Sequence, residues 1–137
     1  MSTNAASNYL ENKILDHTLR YGTDAYTAPT TLYLALFTTD PGEASSFTGE
    51  ISPTSSGYVR KALAFDSAAS GSAASTGTVT FDAAESEWGI ITHLAICDVV
   101  THGDGNQLYY GALTTSKLIQ VGDTLQFVAG NITVSVD

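Results

Sequence analysis

Hydrophobic and polar side chains alternate with a period of two along much of the chain, which is the pattern of β-strands. The longest alternating run extends from Trp88 to Cys97, with Ile90, Leu94 and Ile96 predicted on one face, and both of its faces are largely apolar. A central strand that is covered on both sides has this character. A polar, glycine-rich segment at 101–106 separates the run from a second one at 108–113. Two strands joined in this way are predicted to form a β-hairpin.

Further strands are predicted on both sides of this hairpin. They lie at 31–38, 58–65, 78–81, 118–121, 125–127 and 132–136, and Val79 and Phe81 are expected to point inward. The low-complexity Ser/Ala/Gly segment at 66–77 is interpreted as a linker. About eight short strands separated by turn residues indicate an antiparallel β-sandwich or barrel, formed as a single domain over 1–137.

One segment near the N-terminus has helical spacing instead. Asn8 and Glu11 fit a capping box, and apolar residues then recur every three or four positions. The sequence predicts a short amphipathic helix over about 8–20, with Leu10 and Ile14 on its apolar stripe. This stripe either covers one end of the sheet or docks on a neighbouring subunit, and the spacing leaves both alternatives open.

The segment between Asp40 and Gly57 is rich in Gly, Ser, Thr and acidic residues and has no strand periodicity. Loops of this length are usually functional or disordered, so we expect either a contact with a partner or a mobile surface loop. Arg60 and Lys61 then lie on opposite faces of the next strand. Such an adjacent pair is expected to mark an edge strand that resists unwanted pairing, with an anionic partner as the alternative.

Charge and composition exclude several classes of partner. The 137 residues include 14 acidic and 5 basic side chains, and the formal net charge of −9 opposes binding to nucleic acid or anionic lipid. No signal sequence and no membrane-spanning apolar run is found, so we expect assembly in a cytoplasm. The single cysteine, Cys97, is expected to be a small buried hydrophobic residue rather than a reactive thiol.

Residues able to carry catalysis or bind metals do not form a recognisable motif. His93 and His102 accompany no nucleophile-elbow sequence. The hairpin tip offers His102 and Asp104 but too few oxygen ligands for a calcium loop. Glu85 and Glu87 lie on a predicted exposed turn, where a glycosidase pair is not expected. We therefore expect no enzymatic activity, no metal and no cofactor.

An ordered series of sequence blocks extends over nearly the whole chain. After the N-terminal helix come TTLYLALFTTDP, GYVRKALAF, WGIITHLAICD, LYYGALTTSK and VGDTLQFVAGNITVSVD. These blocks resemble a family of small structural proteins of tailed bacteriophages, commonly labelled tail-fibre or virion-surface proteins. The longer Ser-rich loop at 40–57 departs from that pattern. The resemblance implies a β module that forms homo-oligomers and attaches to the phage particle without turnover chemistry.

Within that setting, a short chain without a fibrous repeat or coiled coil favours a capsid cement (decoration) protein. It would bind the major capsid protein, or another virion protein, at the virion surface. The alternative is a tail-fibre or tail-associated module that binds a host receptor or glycan, and a carbohydrate-binding module also stays open. The predicted contacts with a second copy or a partner are Leu10, Ile14, Tyr58, Arg60 and Tyr109. Tyr58, Tyr109 and Tyr110 are the tyrosines that a glycan site would use.

Overall fold

The computed structural model describes residues 5–20 and 26–136. Within these ranges, the elements in chain order are β1 (Ala5–Ala6), α1 (Asn8–Leu19), β2 (Leu32–Phe37), β3 (Lys61–Phe65), β4 (Ser72–Thr76), β5 (Val79–Thr80), β6 (Gly89–Cys97), β7 (Gln107–Ile119), β8 (Gln126–Phe127) and β9 (Thr133–Ser135). Seven strands form one antiparallel sheet in the order β1-β7-β6-β2-β3-β4-β9, while β5 pairs with β8. The large sheet curls into a half-barrel. The predicted mainly β, antiparallel fold with one N-terminal helix is confirmed.

The predicted central hairpin is present as β6 and β7, but its side-chain alternation contains an irregularity. The register with β7 shifts between Ile91, which lies opposite Lys117, and His93, which lies opposite Ala112. This β-bulge changes the face that the following side chains occupy. Ile91 is therefore buried together with Leu94 and Ile96, whereas Ile90 is 53% exposed. The prediction that Ile90 shares a face with Leu94 and Ile96 is wrong because of this bulge.

The inner, concave face of the sheet carries the main apolar core. Its fully buried members include Leu34, Leu36, Tyr58, Phe81, Ile91, Leu94, Ile96 and Ile132. The Tyr58 ring stacks on Phe81 with centroids 6.1 Å apart and meets Trp88 edge-on at 5.7 Å. Aromatic contacts of this kind add about 0.5–1.5 kcal/mol each to the apolar burial. The predicted inward positions of Val79 and Phe81 are confirmed.

The outer face of the same central strands carries a second, smaller core. Ala35, Phe37, Ala95 and Cys97 are buried there, and Phe47 packs against them. The segment at 40–57 covers this face, and its turns are joined to β2 by backbone hydrogen bonds. This segment is thus part of the packed structure, and the burial predicted for Cys97 is confirmed.

Several predicted boundaries need correction, and the separate strand predicted at 118–121 is the last part of β7. Helix α1 begins one residue earlier than the predicted cap at Asn8 implies, because Ser7 is the N-cap and its Oγ accepts a hydrogen bond from the Leu10 amide at 3.3 Å. The predicted linker at 66–77 contains β4, which pairs with both β3 and β9. Its small Ser, Ala and Thr side chains carry little hydrophobic signal, although its backbone completes the sheet.

Candidate functional site

Glu50 and Arg60 form an ion pair beneath the outer face of the half-barrel. Arg60 Nε donates to Glu50 Oε2 at 2.7 Å and Arg60 Nη2 donates to Glu50 Oε1 at 2.8 Å. Both side chains are fully buried. The two parallel hydrogen bonds have the bidentate geometry that gives strong, directional pairing. The Phe47 ring covers the guanidinium carbon, which lies 5.2 Å from the ring centroid.

The remaining polar atoms of this ion pair hold the tip of the central hairpin, at 98–106. Arg60 Nη1 donates to the carbonyl oxygens of Val99 and Asp104, at 2.9 and 3.1 Å. The Gly103 amide donates to Glu50 Oε1 at 3.0 Å. A buried charge is tolerated only when its hydrogen-bonding groups are paired. Here those groups are paired with the backbone of the tip.

Tyr58 connects the ion pair to the inner core. Its hydroxyl donates to Glu50 Oε2 at 2.8 Å and accepts from the Leu36 amide at 3.1 Å. Burial, and then the nearby Glu50 charge, raise the pKa of Tyr58, so the phenol remains protonated and able to donate. We call Glu50, Tyr58 and Arg60 together the clasp, because they attach the hairpin tip to the body of the sheet.

Electrostatics keep the clasp charged. Burial by itself would raise the pKa of Glu50, but hydrogen bonds from Arg60, the Gly103 amide and Tyr58 lower it further than burial raises it. The net pKa lies below that of an ordinary glutamate, so Glu50 is ionised at neutral pH. The carboxylate therefore accepts from Arg60 and Gly103 under physiological conditions.

The tip also has hydrogen bonds of its own. Asp98 accepts from the backbone amide of Asn106 at 2.7 Å and from its side-chain amide at 2.9 Å. Gly105 has a φ of +77°, and a Cβ at this position would overlap the Asp98 side chain. Thr101 and His102 remain exposed at the end of this fixed backbone. The arrangement presents polar side chains on a rigid support, which lowers the ordering entropy lost on binding.

A separate apolar groove opens on the concave side of the half-barrel, between the two ends of the curled sheet. Its volume is about 380 Å³. Its lining residues include Ile96 of β6 and Leu32 of β2, Leu108 and Tyr109 of β7, and Val136 just beyond β9. No charged side chain is among its lining residues.

The family model described as Podophage GP4 fiber I protein gp80 matches residues 5–135. The chain belongs to this family. The match includes the clasp, the hairpin tip and nearly all of the groove. None of the curated proteins matches the chain. The resemblance to structural proteins of tailed phages is thereby confirmed, and the chain is a phage fibre-type structural protein associated with the virion.

In this member of the fibre I family, the five predicted contact residues occupy different environments. Leu10, Tyr58 and Arg60 are buried within the chain, where Leu10 fixes α1 and the other two belong to the clasp. Ile14 is 40% exposed, and Tyr109 is half-buried in the groove. Contact with a partner therefore stays a prediction, for which Ile14 and Tyr109 are the accessible positions.

The interpretation of Arg60 and Lys61 as a mark of an edge strand is wrong. Strand β3 lies between β2 and β4 in the sheet, so it has a neighbour on each side. Arg60 points to the outer face and is buried, whereas Lys61 Nζ lies 3.1 Å from Asp82 Oδ1 near the surface. Sequence reasoning missed Glu50, whose only signal is the need of a buried arginine for a carboxylate.

The remaining titratable groups do not form an obvious reactive centre in the described structure. His93 Nδ1 lies 2.8 Å from Thr92 Oγ1, and His93 Nε2 is 4.0 Å from Asp40 Oδ2. Burial raises the pKa of Cys97 to about 12, so its thiol is protonated at neutral pH. Residues 5–20 and 26–136 contain no cluster of three His, Cys, Asp or Glu side chains placed to hold a metal ion. Over the same residues, no helix has the length and apolar character needed to cross a membrane.

Proposed function

We propose that the chain is a non-enzymatic fibre module that binds a host receptor through the hairpin tip, with a surface glycan as the class of ligand. The observation that supports this function best is the buried Glu50–Arg60 pair, which holds the backbone of an otherwise exposed loop from inside the protein. Burying two charges is costly. A loop with a purely connecting role has no need of such support.

The exposed side chains of the tip fit polar recognition. Thr101 and His102 supply hydrogen-bonding groups beside the partly exposed Val100, and sugar hydroxyls offer matching donors and acceptors. Loops on a rigid scaffold commonly carry binding function. Adhesion requires no turnover chemistry, which agrees with the expectation of a non-enzymatic protein.

Adsorption to cells of the phage's host tests this proposal. The chain is labelled with a fluorophore and its binding to host cells is measured. The apparent Kd of the double variant Thr101→Ala/His102→Ala should be higher than that of the unmodified chain, on the order of tenfold or more, which is about 1.4 kcal/mol. The matched control Gln120→Ala/Thr124→Ala changes two exposed polar residues at a different turn and should bind normally. Periodate oxidation of the cell-surface sugars should abolish binding.

Equal binding by both double variants would overturn the role of the tip. Binding that survives periodate would overturn the glycan and leave a protein receptor. Circular dichroism and urea unfolding of both variants show that a difference in adsorption does not arise from misfolding.

Capsid decoration, the main expectation from the sequence, stays a prediction that the same protein can test. Purified chain is co-sedimented with tailless capsids that lack decoration, and bound copies are quantified by gel. Saturable binding in a fixed ratio to the major capsid protein would replace the receptor proposal with a cement role. Capsids that sediment without the chain would leave another virion protein of the tail as its attachment point.

A further inference from the structure

Helix α1 exposes apolar side chains that the rest of the described chain does not cover. Leu10 anchors the helix, but Ile14, Leu15 and Leu19 are 40%, 54% and 75% exposed. Leu15 and Leu19 are one turn apart and share a face of the helix. Exposed aliphatic side chains grouped in this way are characteristic of an interaction surface.

The groove on the concave side has the complementary character. It is a concave apolar surface, and an amphipathic helix docks on such a surface with anchors spaced three or four residues apart. Val136 on its margin is 64% exposed. The chain thus carries both an exposed apolar helix face, on α1, and an apolar groove, and each of these surfaces can bind an apolar partner.

The distribution of charge favours a second copy of the chain as the partner that fills the groove. Residues 8–20 contain two acidic side chains, Glu11 and Asp16, and two basic ones, Lys13 and Arg20, whose charges cancel. The formal charge of −9 therefore lies entirely on the rest of the chain. Two copies repel each other over most of their surfaces, and the neutral helix against the uncharged groove is where this repulsion is weakest.

We infer that α1 of one copy docks in the concave groove of the next copy, with Leu15 and Leu19 as anchors. The two sides of this contact are different surfaces, so the contact is heterologous and every copy both donates a helix and accepts one. Heterologous contacts produce closed rings or filaments instead of simple two-fold dimers. Assembly of this kind is independent of what the hairpin tip binds.

Mixing two defective variants provides the decisive experiment. Leu15→Glu/Leu19→Glu removes the apolar anchors of α1, and Val136→Glu places a charge at the margin of the groove. All three positions are more than half exposed, so the fold should tolerate these substitutions. Val121→Glu is the matched control, because Val121 is 68% exposed and lies outside the groove. Molar mass is measured by size-exclusion chromatography with light scattering, for each variant alone and for an equimolar mixture of the two defective ones.

The unmodified chain and the Val121→Glu control should assemble, while each defective variant alone should run as a monomer. Their mixture should give a 1:1 heterodimer and nothing larger, because only one intact helix–groove contact can form. A monomeric unmodified chain, an assembled Val136→Glu variant or a mixture that remains monomeric would each overturn the inference. The Thr101→Ala/His102→Ala variant should keep the mass of the unmodified chain, which separates failure of assembly from failure of receptor binding.

Discussion

On the inner face of the half-barrel, Leu94 and Ile96 pack among large apolar side chains, whereas on the outer face of the same strand the small Ala95 and Cys97 lie under a cover that holds an ion pair. The inner face is stabilised mainly by burial of apolar area, which has little directional preference. The outer face depends on hydrogen bonds that are sensitive to distance and angle. The comparison suggests a division of labour in which the inner core supplies stability and the clasp fixes the position of the hairpin tip.

The largest effect is expected from breaking the clasp on one side. Arg60→Met leaves the Glu50 carboxylate buried without its partner and should lower the free energy of unfolding by about 3–5 kcal/mol. Urea denaturation measures this change. The control Glu50→Gln/Arg60→Met removes both charges and should recover much of the loss. An unchanged midpoint for Arg60→Met would show that the pair contributes nothing to the outer face.

Truncation of a core side chain should also lower stability, but it should change amide hydrogen exchange in other parts of the molecule than a broken clasp does. Leu94→Ala creates a cavity on the inner face and should cost about 2–5 kcal/mol. Amide hydrogen exchange should then accelerate throughout the sheet, while the Gly103 amide keeps its protection relative to the core. In Arg60→Met, Gly103 should lose protection selectively. The same exchange pattern in both variants would contradict the division between the two faces.

Acid should weaken the outer face in a smaller and graded way. The folded-state pKa of Glu50 is lowered, so its contribution to stability is complete above the pKa of an unfolded glutamate and is lost as the pH falls through the folded value. Unfolding free energies measured from neutral pH down to pH ~3 should therefore decline more steeply for the unmodified chain than for Glu50→Gln/Arg60→Met. Parallel curves for the two proteins would exclude Glu50 as a contributor.

The smallest effect is expected at the neighbouring cation. Lys61 is paired with Asp82 across 3.1 Å, but both side chains are partly exposed. Because water and salt screen such a pair, Lys61→Met should change the free energy of unfolding by less than about 1 kcal/mol. Urea denaturation of Lys61→Met beside Arg60→Met compares adjacent cations that differ chiefly in burial. A loss for Lys61→Met as large as that for Arg60→Met would show that burial does not set the difference.

The inner face was largely predictable from the sequence because apolar side chains repeat with the period of a strand. The alternation located β2, the central hairpin and the inward Val79 and Phe81. It failed at Ile90 and Ile91, where a bulge shifts the register with β7 and the pattern contains no mark of that shift. It also missed β4, whose small side chains contribute backbone pairing and little hydrophobic contrast.

The outer face was far less predictable. Arg60 was expected at an edge or a partner contact because a charged residue on a strand is usually solvated. Its buried position depends on Glu50, ten residues earlier in a segment without periodicity, and on backbone groups of the hairpin tip. Contacts between a loop and a distant hairpin leave no local pattern. Only the three-dimensional structure brings them together.

The separation of the clasp residues along the chain also has a kinetic consequence. The hydrogen bond from Gly103 to Glu50 spans 53 residues, and the bond from Arg60 to Asp104 spans 44. Contacts between such distant segments require closure of long loops. The tip should therefore be fixed after the central hairpin and β2 have paired, and changes in the clasp should accelerate unfolding much more than they slow folding. The lifetime of the fixed tip is then set by the rate at which the clasp opens.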